Sequence, residues 1–522
     1  MQMKEYMMGV DIGTTSTKAV LFDRGGAVIA KHNSGYPLYT EAPGEAEQSP
    51  EEIFTAVVSA IRETIKEAEV PSEEIGFVSF SSAMHSLIAM DASGKPLTRS
   101  ITWADQRSEA WTKKLKKEWS GHDIYLRTGT PIHPMSPLSK IIWLREDHPE
   151  IFSKTAKFIS IKEYVFFRFF GEYIIDHSIA SATGLFNLEK KDWDRGAMEI
   201  AGITEDKLSK LVPTTFQIQG FHSEAAAETG LPAAIPFIVG ASDGVLSNLG
   251  VNAIDPGAVA LTIGTSGAIR AVANRPVTDP KGRIFCYALT EEHWVIGGPV
   301  NNGGMIFQWM KDELCHSEVE TAERLGQDPY TYLTDIAAEI RPGAEGLIFH
   351  PYLAGERAPI WNAHARGAFF GLGLHHKKEH MIRAVLEGIN YNLYTVLLAL
   401  KELIGIPEKI HATGGFAQSE FWRQMLADVL DQEVLIPESY ESSCLGAVIL
   451  GMYALGEIDS LTAAKRFVSS NIRLLPNQET SEVYKEIIPI YIRLARLYET
   501  EFEEIAAFQT KYGKKELPES AK

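Results

Sequence analysis

The stretch Gly9–Phe22 sets two apolar blocks around a polar centre, with Gly9-Val10-Asp11-Ile12 before Gly13-Thr14-Thr15-Ser16-Thr17-Lys18 and Ala19-Val20-Leu21-Phe22 after it. Two β-rich blocks with Gly and hydroxyl residues between them predict a hairpin with a tight polar tip. A turn at Asp23-Arg24-Gly25-Gly26 and a third strand over Ala27–His32 complete an antiparallel meander. Ser49-Pro50-Glu51-Glu52 supplies an N-cap, a first-turn proline and first-turn acids, and Ile53, Val57, Ala60, Ile61 and Ile65 continue at helical spacing. Ile75–Ser81 is again a strand, so the chain opens βββαβ, and the strand-to-helix alternation that follows predicts an α/β architecture.

The hairpin pattern returns about half the chain later in Ala258–Val272, where Gly264-Thr265-Ser266 takes the place of Gly13-Thr14-Thr15. A tip of this composition can cradle phosphate oxygens with backbone N–H groups, hydroxyls and, in the first copy, Lys18, while Asp11 holds a cation. Two copies predict two related halves, each with a phosphate hairpin. At 522 residues the chain is long enough for two large domains. Its formal charge of −18 disfavours nucleic acid and anionic lipid as partners and makes any cationic pocket a local exception. Cys286, Cys315 and Cys444 form no Cys-x-x-Cys pair and fit a reducing compartment. The start of the chain lacks a basic-then-apolar signal pattern and no apolar run is long enough to span a bilayer, so a cytoplasmic location with no membrane partner is expected.

Several polar residues stand at predicted element ends. Met84 and His85 leave the Ile75–Ser81 strand, and Trp103-Ala104-Asp105-Gln106-Arg107 precedes a helix. These residues suit a polyhydroxylated ligand, the indole shielding carbon and the polar groups taking hydroxyls; the alternative has Asp105 capping the helix and Trp103 in the core. Lys162, near the start of an apolar helix over Ile161–Phe170, either reaches solvent or points a cation at a ligand. Asp243 follows the buried strand Ile235–Gly240, where open α/β sheets place their chemistry. Asn301 is a candidate cap for a helix running through Leu314, and Thr413-Gly414-Gly415 with Gln418 is a strand, double-glycine turn and helix start that lets a flat ring approach the backbone. Leu445-Gly446-Ala447-Val448 predicts a helix interface of small residues.

Taken together, the hairpins, Asp243 and the Thr413-Gly414-Gly415 turn resemble the actin-like ATPase superfamily, and more closely its FGGY carbohydrate kinases. Gly367-Ala368-Phe369-Phe370-Gly371-Leu372, His380-Met381 and Arg383-Ala384-Val385-Leu386-Glu387 are similar to that family's carboxyl-half signature. Met135–Asp147 resembles the amino-half signature and departs from it at Asp147. The resemblance implies two ribonuclease-H-like α/β domains with an interdomain cleft, divided as 1–250 and 251–460, with 461–522 as a helical extension. It implies ATP and Mg²⁺ as cofactors, Asp11 and Asp243 near the metal, and Asp243 as general base. It also places Gly13, Thr14, Thr15, Lys18, Gly264, Thr265 and Ser266 at the phosphates and Gly414, Gly415 and Gln418 at adenosine. The family usually follows the catalytic Asp with an amide or similar polar residue, whereas Gly244 follows here.

Within the family, Met84-His85 and Trp103–Arg107 resemble the xylulose and gluconate kinases. The runs Arg127–Pro137 and Ser178–Asn187 resemble the gluconate kinases in particular, which makes gluconate the implied acceptor. A ketopentose or polyol acceptor, or an actin-like ATPase switch, are the alternatives, and a homodimer is left open. A sugar acid needs a cation or several donors for its carboxylate, for which Arg107, His85, His133 and Lys162 are candidates. Arg107 ranks first because its planar fork matches a carboxylate, against a pairing with Asp105 or Glu109.

Overall fold

The computed structural model describes residues 4–437, 441–468 and 470–512. The chain forms two compact units, neither continuous in sequence: Met1–Val259 with Arg270–Ile296 and Pro437–Ser469, and Ala260–Ile269 with Gly297–Ile436 and Ser470–Lys522. This differs from a linear division at 250 and 460, because the chain after Ile436 contributes first to one unit and then to the other.

In the first unit, strands β1 (Tyr6–Ile12), β2 (Ser16–Asp23), β3 (Val28–Gly35), β4 (Ile75–Ser82), β5 (Gln217–Ile218) and β6 (Phe237–Ser242) form one sheet in the order β5-β6-β4-β1-β2-β3. β1, β2 and β3 are the expected antiparallel meander, while β1 pairs β4 and β4 pairs β6 in parallel. Its helices include α1 (Pro50–Ala68), α2 (Pro137–Asp147), α3 (Ile161–Phe170), α4 (Asp243–Gly250) and α5 (Ser442–Ala454). Alternation along the strands sorts the side chains to two faces. Met8, Val10, Ala19 and Leu21 join Ile53, Val57 and Ile61 of α1 in one core, whereas Met7, Val20, Phe22 and Phe77 join Leu445, Val448 and Met452 of α5 in the other.

The small residues of α5 have a steric reason. A Cβ at Gly446 would strike the Leu246 carbonyl of α4, and one at Gly9 would strike the Cys444 carbonyl, so α5 seats its backbone directly on α4 and β1. The predicted interface of small residues is present.

A second sheet takes β7 (Ala258–Ile263), β8 (Gly267–Ala273), β9 (Trp294–Val300), β10 (Lys409–Thr413), β11 (Val434–Pro437) and β12 (Ser470–Leu474) in the order β9-β8-β7-β10-β11-β12, and the division between the units falls within β7, β8 and β9 and at the last residue of β11. The 27-residue helix Lys378–Ile404 carries a buried ion pair, Arg383 Nε to Glu387 Oε1 at 2.7 Å, to which Tyr484 of the helix Gln478–Tyr498 also bonds. Two expectations need correction. The extension from 461 is not wholly helical, since β12 joins the sheet before the helices Gln478–Tyr498 and Phe502–Tyr512; its last ten residues lie outside the described residues. Nor does Asn301 cap the helix Gly304–Trp309: Gly303 is the cap residue, and Asn301 instead donates to Ala354 O at 3.0 Å and accepts from Arg357 Nε at 2.6 Å. Cys286, Cys315 and Cys444 are buried and free, and no described helix is long and apolar enough to cross a membrane.

The runs Arg127–Pro137 and Ser178–Asn187 pack against each other in the first unit. Thr130 Oγ1 donates to Ser181 O at 2.7 Å, and Asp194 ties Arg127 (Nε and Nη2, both 2.9 Å) to Asn187 (2.9 Å) while capping Ala197 N. Burial raises the Asp194 carboxyl, but these bonds outweigh it and hold the group at about 2. A depressed carboxylate stabilises the fold above its unfolded value and loses that contribution as pH falls through the folded one. Asp194→Asn is therefore expected to cost about 2 kcal/mol near pH 7, allowing for the water around half-exposed Arg127. The gap from wild type in urea-denaturation midpoint should be full at pH 6 and narrow steadily below pH 4; a gap independent of pH would show that the charge on Asp194 is not what matters.

Candidate active site

The first hairpin tip is held through its carbonyls. Tyr36 Oη donates to Gly13 O at 2.6 Å, Gln48 Nε2 to Thr14 O at 2.5 Å, and Tyr36 N to Thr15 O at 3.2 Å. Trp103 Nε1 donates to Thr14 Oγ1 at 2.9 Å. None of these bonds uses the N–H groups of Thr14 and Thr15, the donors that an anion at the tip requires. Lys18 is not offered to a phosphate as expected. It pairs with Glu441 at 2.7 Å, and although burial disfavours its charge, Glu441 more than compensates and its pKa is raised. The other oxygen of Glu441 takes Lys31 at 2.9 Å.

The second tip repeats the device in its own unit. Gly304 N donates to Gly264 O at 2.7 Å and Met305 N to Thr265 O at 3.1 Å, while Ser266 O closes the turn on Gly264 N. Beside it lies a cavity of about 300 Å³ whose lining includes Gly264, Thr265, Gly304, Tyr330, Gly415 and Gln418. The structure thus gathers four of the predicted nucleotide residues into one cavity of ligand size. Gly414 lies behind it with φ 111° and its Cα against the Ile263 carbonyl, where a side chain has no room. Tyr330 was not anticipated; its signal in the sequence was Asp328-Pro329, an N-cap and first-turn proline that start the helix Pro329–Ala338 at the cavity wall.

Asp243 stands at the carboxyl end of β6 and opens α4, its Oδ1 accepting from Gly244 N at 2.6 Å. Asp11 stands near the carboxyl end of β1, where burial raises its pKa against a 2.7 Å bond from Ser81 Oγ and the charge of Lys18. Asp11 and Ala241 are both in register with Ser81 of the intervening β4. Asp11 and Asp243 therefore stand at the ends of strands two positions apart in one sheet, with about 10 Å between those strands at the usual spacing. Among the described residues no three or more His, Cys, Asp or Glu side chains gather into a metal cage. Two carboxylates completed by water and phosphate oxygens are the donor set Mg²⁺ favours, so the residues present fit that ion.

Met84, His85, Trp103 and Asp105 belong to the first unit. Met84 packs over Gly244, directly beside Asp243. His85 has φ 67° and points Nδ1 at Ala182 O, 2.7 Å away, which requires a proton on that nitrogen and leaves Nε2 as acceptor, 3.5 Å from Tyr287 Oη. A feature that sequence reasoning passed over holds these segments together. Lys140 of α2, fully buried, donates to His85 O (2.5 Å), Ile101 O (3.1 Å) and Thr102 O (2.6 Å). Burial pushes its pKa down to about 7 against the pull of Asp105. The clue was a lone lysine among Leu138, Ile141, Ile142, Trp143 and Leu144.

The cations proposed for a carboxylate are already engaged. Arg107 binds both oxygens of Asp105 (Nε at 3.2 and 3.0 Å, Nη2 at 2.8 Å) and Glu47, lies 3.9 Å from Glu45, and stacks on Trp143. Three carboxylates around one guanidinium leave no excess charge for a ligand, and Asp105, which also accepts from Ala46 N, is their buried anchor. Lys162 is a buried partner of Asp176 at 2.8 Å, and buried His133 accepts from Met135 N. Arg107 and Lys162, both expected at the acceptor, are thus held by protein carboxylates in this structure.

Comparison with known proteins agrees with this geometry. Residues 6–250 match the N-terminal domain, and residues 259–455 the C-terminal domain, of the FGGY family of carbohydrate kinases. The chain is 59% identical to a gluconokinase of Bacillus subtilis (strain 168), covering 97% of this chain and 99% of that one. Among solved structures, a gluconate kinase from Lactobacillus acidophilus is 38% identical with a TM-score of 0.91, covering 96% of this chain and all of that one. A ligand-bound xylulose kinase from the same organism matches at the same identity and TM-score, covering 96% of this chain and 99% of that one.

Lys140→Met keeps the length of the side chain and removes its donors; Ile101 O keeps Leu87 N at 3.0 Å and Thr102 O keeps Asp105 N at 3.3 Å, while His85 O loses its ammonium partner. At about 1–3 kcal/mol for a buried group left unpaired, the variant should lose roughly that much stability. A chemical-denaturation midpoint within error of wild type would show that water replaces the ammonium at no cost.

Proposed function

Because the chain belongs to the FGGY family of carbohydrate kinases, matched over both halves, we propose that it transfers the γ-phosphoryl group of ATP to the terminal hydroxyl of gluconate, giving 6-phosphogluconate and ADP. The observation that carries the chemistry is the position of Asp243, at a strand end, at a helix start and beside Met84. Likeness to a gluconokinase along nearly the whole chain supports the acceptor. In this reading the first unit binds the sugar acid and the second unit binds the nucleotide. Free, buried cysteines support a reducing compartment, the cytoplasm.

The acceptor oxygen attacks the γ-phosphorus, the bond from phosphorus to the β–γ bridging oxygen breaks, and the hydroxyl proton passes to Asp243. Phosphoryl transfer asks mainly for positioning and charge neutralisation, so a carboxylate that takes the proton late is sufficient. Asp11 and Asp243 would hold Mg²⁺, which would supply charge neutralisation at the phosphates. Thr14 and Thr265 offer hydroxyls and backbone donors to phosphate oxygens, and the cavity bounded by Gly415, Gln418 and Tyr330 takes the adenosine.

A second reading keeps the reaction and makes a ketopentose the acceptor, which the equal likeness to a xylulose kinase favours. Coupled ADP release across gluconate, xylulose and neutral polyols separates the two. Turnover should depend on gluconate; turnover with xylulose and none with gluconate would reverse the assignment, and acceptor-independent turnover would return the protein to the switch ATPases.

Asp243→Asn is expected to lower kcat by roughly 10²–10⁴ while nucleotide affinity stays within about tenfold, the range for losing a general base. Near-normal turnover at saturating substrate would make Asp243 structural. Thr265→Val should raise the KM for ATP with little effect on that for gluconate, and equal effects on both would contradict its placement at phosphate.

A further inference from the structure

Arg270 of β8 is a cation that none of these assignments uses. It belongs to the first unit, as do Asp243, Gly244 and Met84. A Cβ placed on Gly244 would lie 3.2 Å from both Nε and Nη2 of Arg270 and 2.8 Å from Met84 Cε, so the guanidinium and the thioether fill the space a side chain at 244 would occupy. Arg270 Nε is buried with no hydrogen-bond partner, and the contact of Nη1 with Ser247 Oγ is long at 3.4 Å. Among the described residues no carboxylate is hydrogen-bonded to this guanidinium, in contrast to Arg107, which bonds Asp105 and Glu47 and lies 3.9 Å from Glu45. Burial lowers its pKa and Asp243, the one charged neighbour acting on it, raises it. A guanidinium does not lose its proton at neutral pH, so a positive fork stands over Gly244 with an unmet donor.

A half-buried cation whose buried Nε–H has no partner gains when a ligand completes it. We infer that Arg270 binds the carboxylate of the acceptor and sets the preference for a sugar acid over a neutral sugar, with Gly244 clearing the space for its fork. This rests on the assignment of gluconate as acceptor. It explains how a protein of net charge −18 presents a local cationic site while Arg107, Lys162, His85 and His133 are committed elsewhere. It also gives Gly244 a purpose: a side chain at that position would press on Met84 and crowd Arg270.

The test compares gluconate with glucitol, the neutral alcohol of the same carbon skeleton, by titration calorimetry and steady-state kinetics on the full chain. Wild type should bind gluconate more tightly than glucitol. Arg270→Gln should raise the KM for gluconate about 10–100-fold, the scale of losing a charged hydrogen bond, and abolish the preference while the KM for ATP stays within about threefold. Arg270→Lys keeps the charge and stem, covers the case in which Gln fails to fold, and should retain the preference at reduced strength because one ammonium replaces a fork. A variant that loses kcat equally with both acceptors at unchanged KM would place Arg270 at the transferred phosphoryl group and overturn the inference. So would a gluconate preference that survives in Arg270→Gln. If wild type fails to phosphorylate gluconate at all, the acceptor assignment falls first and the inference with it, an outcome that the wild-type assay reports before any variant is made.

Discussion

The segments around His85 and Trp103 in the first unit depend on one buried ammonium. Lys140 accounts for all three of its N–H bonds with the carbonyls of His85, Ile101 and Thr102, drawn from two separate segments. A neutral amine has two N–H groups and a lone pair, so the third carbonyl would face repulsion in place of a donor. The requirement for three donors holds the proton on Lys140 although burial works to remove it. Asp105, Arg107 and Glu47 then form a second layer that fixes the loop carrying Trp103, whose indole in turn reaches the first phosphate hairpin at Thr14. Charges in this region hold the loops in place.

That division explains what could be read from the residues and what could not. The meander, α1, α3 and the double-glycine turn follow from local chemistry: alternation, an N-cap with a first-turn proline, glycine where the backbone must approach. The position of Asp243, at a strand end that opens a small-residue helix, was legible for the same reason. The roles of Arg107 and Lys162 were not. An arginine two residues after an aspartate looks the same whether it serves that aspartate or a ligand; what decides is Glu47, some sixty residues away in sequence. Lys162 likewise finds Asp176 across a turn of chain that periodicity does not reveal. Arg270 shows the converse: on a strand it reads as an ordinary solvent-facing residue, and its meaning comes from the missing side chain at Gly244.

The two hairpins share more than composition. In each, the tip carbonyls are taken from behind, by Tyr36 and Gln48 in one and by Gly304 and Met305 in the other. Different residues reach the same end, which is to orient a polar turn while sparing N–H groups at its crown. Duplicate motifs diverge in this way when the constraint lies on the backbone and the supports are interchangeable.

The return of α5 to the first unit sets an order on biosynthesis. β1 leaves the ribosome well ahead of the helix beginning at Ser442 that covers the apolar face formed by Met7, Val20, Phe22 and Phe77. At translation speeds of about 5–20 residues per second, that face waits on the order of tens of seconds for its partner. Throughout that interval the nascent sheet exposes apolar surface that chaperones recognise and neighbouring nascent chains can bind. The glycines that let α5 seat against finished backbone, Gly9 on the strand and Gly446 on the helix, suit a late arrival: the helix docks onto a surface already folded, with no side chain at either contact to be threaded past another.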